Sequence, residues 1–352
     1  MKIAVLIPSL NPDEKLINYV QKLIETGFEK IIIVNDGSNS DYDKIFNQLK
    51  EYPECIVLKH DINQGKGRAL KTGFNYYLNT LTDYQGLVTA DSDGQHSPED
   101  TMKVAQNLLE NNNCLILGSR DFKGKDVPFK SRNGNKITTS VFKMLYGKYI
   151  GDTQTGLRGL TNNQVSFCTT INGERFEYET NMLIACVKNK VEIKEIPIDT
   201  IYLNNNETSH FNPIKDSIKI YKAMFSEFLR FTFSGITSFI IDILIFSILA
   251  NIFFINIDAV SSIIMATIFA RIISSLINFF LNKTVVFNSK QSKRKLIIKY
   301  YILCIIQMLS SALLVSILFT LTPLSKVVCK IIIDSILFLV SYRIQSHYIF
   351  KK

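Results

Sequence analysis

The chain has 352 residues, 47% of them hydrophobic and 20% charged, with a mean hydropathy of +0.13. That mean is what a soluble part averaged with a membrane part gives, and the composition excludes both disorder and a disulfide-built mini-protein. The net charge of +9 is unevenly spread: 13 of the 40 Lys+Arg and 3 of the 31 Asp+Glu lie from Arg230 onward, so the part before it nets −1 and gives no reason to expect nucleic acid as a partner.

Residues 3–7 form a short apolar run, read as a first strand, and Pro8 stops it too early for a secretory leader. The N-terminal part is therefore expected in the cytosol. A helical stretch follows over 13–26. Apolar runs at 30–34, 55–58, 86–90 and 114–117 read as further strands. Helices are expected over 68–78 and from Ser97, where Ser97-Pro98 reads as an N-cap with proline at the first helical position. Strand and helix alternating in this way imply a mostly parallel sheet covered by helices on both faces. In such sheets ligands bind beyond the carboxyl ends of the strands. Further on, 132–149 reads as a helix, 152–158 as a polar loop, 179–188 as a helix, 191–198 as a strand and 204–206 as a loop.

From residue 213 to 229 apolar side chains recur at Ile214, Ile218, Tyr221, Phe225 and Phe228, with Lys215, Lys219 and Lys222 off that stripe. A basic amphipathic helix on a membrane face accounts for this, and a core-facing helix is the plainer alternative. Four apolar runs follow, near 231–254, 259–281, 296–321 and 324–342, each long enough to cross a bilayer. Lys and Arg concentrate before the first run, between the second and third, and in the tail. By the positive-inside rule the chain is a multi-pass protein of the cell membrane, with the N-terminal part and both termini cytosolic. Residues 279–287 resemble 342–350 at a constant offset of 63, a weak sign of internal duplication. The six cysteines include no C-x-x-C pair and lie near no histidine cluster, so buried reduced thiols are expected rather than zinc ligands.

Polar clusters follow the first, second and fourth strands, and a glycine-containing loop lies further along the chain after the third. Asp91-Ser92-Asp93 places two carboxylates one residue apart beyond the fourth strand. Such hard oxygen donors can hold Mg2+ or Mn2+ against a diphosphate, with Gln95 or His96 completing the shell. Asn35-Asp36-Gly37-Ser38 ends the second strand, where a carboxylate can accept from a base or ribose. Asn63-Gln64-Gly65-Lys66-Gly67 combines backbone that allows close approach with a cation for phosphate, and it is not a Walker loop. Each cluster alone also reads as a surface turn.

Taken together, Ile7-Pro8-Ser9-Leu10-Asn11 with Glu14, Asn35-Asp36-Gly37-Ser38, Asn63-Gln64-Gly65-Lys66-Gly67 and Asp91-Ser92-Asp93-Gly94-Gln95-His96 resemble family 2 glycosyltransferases of the GT-A fold. The last motif looks like the dolichol- and polyprenyl-phosphate sugar synthases. Gly118-Ser119-Arg120, Arg132, the run from Asp152 to Arg158, Glu177-Tyr178-Glu179 and Ser209-His210-Phe211 extend the resemblance over about residues 1–228. The usual P-x-Y-N-E opening reads Pro8-Ser9-Leu10-Asn11-Pro12 here, which leaves its acidic contact to Asp13 or Glu14. The apolar part resembles the GtrA-like four-helix family, through Phe228-Leu229-Arg230-Phe231, Gly235, Asn278-Phe279, Leu281-Asn282 and Val286-Phe287.

The resemblance implies a catalytic domain with the α/β GT-A fold (Rossmann-like, mostly parallel sheet) over 1–211, an interface helix over 212–229 and an all-α four-span membrane domain over 230–352. It implies a nucleotide site at Pro8, Asn11, Glu14, Asp36, Lys66 and Asp91, and a metal site for Mg2+ or Mn2+ at Asp91, Asp93 and Gln95. Arg120 and Arg132 would hold an acceptor phosphate, completing the catalytic set with Asp91 and Asp93. Asp152, Gln154, Arg158 and His210 would shape the sugar and acceptor site. The expected reaction is inverting transfer of a sugar from a UDP- or GDP-sugar to a polyprenyl (undecaprenyl) phosphate, with homo-oligomers left open. Asp242, Arg271, Lys330 and Asp334 would form an intramembrane polar set, because charge inside a bilayer needs a reason. The alternative is a transporter of lipid-linked sugar whose N-terminal domain binds nucleotide sugar only to regulate it.

Overall fold

The computed structural model describes residues 2–111, 113–122, 129–199 and 215–350. The chain divides into two compact units, Met1–Met224 and Phe225–Lys352.

The first unit is built on seven strands: β1 (Ile3–Ser9), β2 (Ile31–Asn35), β3 (Cys55–Lys59), β4 (Gly86–Thr89), β5 (Cys114–Arg120), β6 (Arg158–Thr161) and β7 (Glu192–Ile198). Their order in the sheet is β3-β2-β1-β4-β6-β5-β7. β6 runs antiparallel to both neighbours and every other pairing is parallel. The helices are α1 (Lys15–Glu25), α2 (Asp43–Leu49), α3 (Lys66–Thr80), α4 (Pro98–Glu110), α5 (Phe129–Tyr146), α6 (Asn162–Thr169) and α7 (Glu177–Lys188). This is the mostly parallel α/β architecture that the alternating pattern predicts.

The physical reasons are local. β1 and β2 are buried along their whole length, as continuous apolar runs in a doubly covered sheet must be. α1 buries Leu16, Ile17, Val20 and Leu23, one stripe at helical spacing, against that sheet. Ser97 caps α4 as expected, its Oγ accepting from the Asp100 amide at 3.0 Å, with Pro98 in the first turn.

Several elements differ from the sequence reading, α2 among them, which falls where no helix is expected. The segment read as a polar loop ends in β6, whose four residues Arg-Gly-Leu-Thr offer no alternation to recognise. α6 starts directly after it, on a capping box between Thr161 and Gln164. The helix expected to reach 149 stops at Tyr146, where Gly147 takes φ +77°, the left-handed conformation that ends helices. The six cysteines are all unbridged.

The second unit is helical. Its long elements are α8 (Lys215–Ile248, beginning in the first unit), α9 (Ala259–Leu281), α10 (Lys293–Leu321) and α11 (Lys326–Ile344). α8, α9 and α11 each continue into a five-residue π-helical segment, at Leu249–Phe253, Asn282–Val286 and Gln345–Ile349. Three of these helices, Lys215–Phe253, Ala259–Val286 and Lys293–Leu321 with their π extensions, are long and apolar enough to cross a membrane. α11 carries Lys326, Lys330 and Asp334 and does not meet that measure. Phe233, Phe239, Leu244, Ile264, Ile305 and Leu309 are all exposed, an apolar surface that suits lipid and not water. The chain is a membrane protein. In the amphipathic stretch, from Lys215 onward, Ile220 and Met224 are buried and Ile218 is exposed.

The weak repeat has a structural counterpart. Asn282 and Gln345 stand at the 63-residue offset, and the Asn282 Nδ2 donates to Gln345 Oε1 at 3.0 Å. Phe287 and Phe350 stand at the same offset and stack, with ring centroids 5.3 Å apart and planes 13° apart. Two π-helical segments begin at equivalent positions, Asn282 and Gln345. Residues that touch their own equivalents are what a two-fold relation produces near its axis.

Candidate active site

Because β6 alone is reversed, the carboxyl ends of β1, β2, β4 and β5 lie along one edge of the sheet. Asn11, Asp36, Asp91 and Arg120 are all at or just beyond those ends. The chain ahead of β6 returns to the same edge, which brings Gly156 against Asp91: a Cβ on Gly156 would lie 2.4 Å from the carboxylate. A larger residue there would require the Asp91 carboxylate to shift.

Asp91 is the hub. Its Oδ1 is 2.7 Å from Lys66 Nζ and its Oδ2 is 3.3 Å from His96 Nε2. Lys66 Nζ is also 2.9 Å from Glu179 Oε2, so one ammonium joins the start of α3, the end of β4 and α7. Burial opposes charge on both partners. For Asp91 the Lys66 and His96 charges outweigh it and hold the carboxyl well below the usual range. For Lys66 the two carboxylates outweigh it and raise the ammonium above its ordinary value. Asp93, two residues on, behaves oppositely: burial first, then repulsion from Asp91, pushes its carboxyl upward. Its Oδ1 accepts the Gln95 amide at 3.1 Å.

Asp36 is buried beyond β2. Its Oδ1 receives His60 Nδ1 at 2.7 Å and the Gln64 amide at 3.0 Å, and its Oδ2 receives the Gly65 amide at 2.8 Å. The two loops interlock so closely that a Cβ on Gly37 would lie 2.2 Å from the Ile62 carbonyl carbon, and Gly37 takes φ +71°. Asn11, with φ +45°, ties the β1 loop to the β2 loop, its amide donating to Ser38 Oγ and its Oδ1 accepting from the Asn39 amide. Pro8 is buried within β1 beside Val34. Glu14 is exposed at the start of α1, while the Asp13 carboxylate accepts the Lys15 amide.

Arg120, at the end of β5, makes a two-pronged pair with fully buried Asp152: Nε to Oδ2 at 2.6 Å and Nη2 to Oδ1 at 3.2 Å. Asp152 Oδ1 also accepts the Gln154 amide, and the Gln154 side chain is exposed. Arg132 is half-buried on α5. Arg158 is fully buried, donating from Nε to the Thr155 carbonyl and from Nη1 to the Glu179 carbonyl. It ties the chain ahead of β6 to α7, the helix that carries Glu179. His210 lies outside the described residues. The structure thus brings Lys66, Asp91 and His96 together, with Asp93 and Gln95 on the same loop. It pairs Arg120 with Asp152 and leaves Glu14 on the surface.

Sequence reasoning missed His60 and assigned no role to Glu179. Glu179 had a signal, since it sits in a quoted motif. His60 had one in its position at the end of β3. Among the described residues no cluster of three or more His, Cys, Asp or Glu side chains is arranged to hold a metal ion unaided.

In the second unit the expected polar set is two sets. Asp242 receives Ser274 Oγ at 2.7 Å and lies 3.5 Å from Arg271 Nη2, joining α8 to α9. Asp334 receives Ser311 Oγ at 2.6 Å and lies 2.8 Å from Lys330 Nζ, joining α10 to α11. A separate polar seam, in which Asn278 bonds Ser234, Ser238 and Tyr300, links α8, α9 and α10.

Comparison with known proteins gives two family matches. Residues 4–178 match glycosyl transferase family 2, and residues 230–350 match the GtrA/DPMS transmembrane domain. A UDP-N-acetylglucosamine–dolichyl-phosphate N-acetylglucosaminyltransferase of Methanococcus voltae is 32% identical over 217 residues, 57% of this chain and 86% of that protein. A polyprenol monophosphomannose synthase of Mycolicibacterium smegmatis is 24% identical over 202 residues, 55% of this chain and 75% of that one. Among solved structures, the glucosyl-3-phosphoglycerate synthase of Mycobacterium tuberculosis with Mn2+, UDP and phosphoglyceric acid covers 64% of this chain and 77% of its own, at 15% identity and a TM-score of 0.48.

Proposed function

Since the chain belongs to glycosyl transferase family 2 and is a glycosyltransferase with a GtrA/DPMS membrane domain, we propose that it moves a sugar from a nucleotide sugar to a polyprenyl phosphate at the cytosolic membrane face. The observation that carries this reading is the placement of the Asp91 hub and the Arg120–Asp152 pair at one edge of the sheet, in a chain whose other unit is built for lipid. The relatives' names supply the acceptor class, dolichyl or polyprenyl phosphate.

The acceptor is already an anion, so no strong general base is needed. A phosphate oxygen attacks the anomeric carbon, the bond to the nucleoside diphosphate breaks, and the configuration inverts. Arg120 and Arg132 orient the acceptor phosphate, a task suited to the planar guanidinium fork. The Asp152 carboxylate fixes the Arg120 plane in advance. Lys66 carries positive charge beside the departing diphosphate. Asp36 and Asn11 anchor the loops around the nucleotide.

Asp91 and Asp93, with Gln95, fit a divalent cation. Both carboxylates stand at one strand end, Asp93 is destabilised as an anion by burial and then by Asp91, and Gly156 puts no side chain beside Asp91. Mg2+ or Mn2+ held there would offset charge on the diphosphate leaving group. The loop charges support four spans with both termini cytosolic. The intact site argues against a transporter with a purely regulatory first unit.

The test uses purified full-length protein, undecaprenyl phosphate, Mg2+ or Mn2+ and a panel of radiolabelled UDP- and GDP-sugars. Lipid-extractable label with one donor is the expected result. No label with any donor, on protein shown to be folded, contradicts the proposal.

A further inference from the structure

His60 ends up buried between three elements. It follows β3, it faces the Asp36 carboxylate beyond β2, and it faces Thr72 on α3. Its amide is also fixed, donating to the Asn35 carbonyl at 2.8 Å. A carboxylate can only accept, so Nδ1 carries the proton toward Asp36 Oδ1 at 2.7 Å, and Nε2 lies within hydrogen-bond distance of Thr72 Oγ1, at 2.9 Å.

The consequence runs past His60 itself. Asp36 holds the Gln64 and Gly65 amides, and the next residue is Lys66, whose ammonium sits on Asp91 and Glu179. Gly65 takes φ +102° and is the N-cap of α3, so the direction in which Lys66 leaves the loop depends on where the Gly65 amide is held. An Asp36 carboxylate free to rotate would release both amides. The buried imidazole, bonded to Oδ1, removes that freedom.

We infer that His60 is a positioning residue for the nucleoside diphosphate of the donor: it locks Asp36 through Nδ1, and through Asp36 it sets the Gln64–Gly65 amides and Lys66. This rests on the proposed nucleotide-sugar reading and adds a residue to which no ligand contact is assigned. The part of His60 that matters is Nδ1, and Nε2 serves only to hold the ring.

Two substitutions separate these atoms. His60→Asn keeps a donor near the Nδ1 position and loses the Thr72 contact. His60→Gln keeps a group near the Nε2 position and loses the bond to Asp36. The experiment measures binding of UDP and of GDP, each with MnCl2, to the full chain in detergent by calorimetry, with thermal unfolding of every variant alongside. A buried hydrogen bond to a charged group predicts that His60→Gln weakens nucleotide binding by about 10-fold or more, that His60→Asn stays within about 3-fold of wild type, and that Thr72→Val does too. The two His60 variants should unfold at similar temperatures. Equal weakening in both, or none in His60→Gln while wild type binds, overturns the inference. Wild type that binds neither nucleotide overturns the reading beneath it, and the inference falls with it.

Discussion

The two units treat ionisable groups in opposite ways. In the first, three of the functional carboxylates are each shared among several partners: Asp91 by Lys66 and His96, Asp36 by His60 and two amides, Asp152 by Arg120 and the Gln154 amide. In the second, the charges form small local sets, and their cations remain largely open, with Arg271 72% and Lys330 56% exposed at the side chain. Multiple buried partners fix a geometry in advance, which is what a site that binds a charged ligand needs. Small sets on apolar helices hold one helix to its neighbour and keep charge from facing lipid alone. The comparison therefore separates a pre-organised polar site in the first unit from charges that bridge neighbouring helices in the second.

That division can be broken by substitution, and the effects should descend in size. Asp93→Ala should reduce sugar transfer by about 10^3-fold or more while leaving the unfolding temperature near wild type, since it removes the site for the charge that offsets the leaving group. Retained transfer would remove the metal role from Asp93. Gly156→Ala should cost about 10- to 100-fold in transfer, because its Cβ would meet the Asp91 carboxylate and displace it from Lys66; a misplacement of this order far exceeds what a surface change does. Arg120→Lys keeps the charge and loses the two-pronged pair with Asp152, and should weaken transfer by about 10-fold, read as a rise in KM for the lipid acceptor. The second unit should answer more quietly. Asp334→Asn should lower stability in detergent by about 0.6–1.7 kcal/mol and leave transfer within about 2-fold of wild type. A large loss of transfer there would erase the contrast between the units.

Much of the first unit is legible in its sequence because its signals are local. β1, β2 and β4 are short apolar runs closed by polar residues, and a strand buried on both faces has no other appearance. Asp91 and Asp93 stand out because they follow such a run directly. β6 is hidden because four residues containing arginine and glycine carry no period. Arg158 reads as a loop cation and is instead fully buried, since its burial depends on carbonyls of Thr155 and Glu179 that only the fold brings within reach. The His60–Asp36 and Lys66–Glu179 pairs are hidden for the same reason: each joins distant segments, and neither residue's neighbours in sequence announce the other. In the second unit the apolar runs marked the helices, but nothing in the sequence showed that Asp242 and Asp334 would belong to separate sets.

The measurement that bears most directly on the account is product analysis of a single reaction. Full-length protein would be given undecaprenyl phosphate, the active nucleotide sugar and Mn2+, and the lipid and nucleotide products would be weighed by mass spectrometry. The account predicts one sugar joined to a lipid monophosphate and one nucleoside diphosphate released for each. A lipid diphosphate sugar with release of a nucleoside monophosphate would contradict it, because the bond broken would then be phosphorus–oxygen and not the bond at the anomeric carbon.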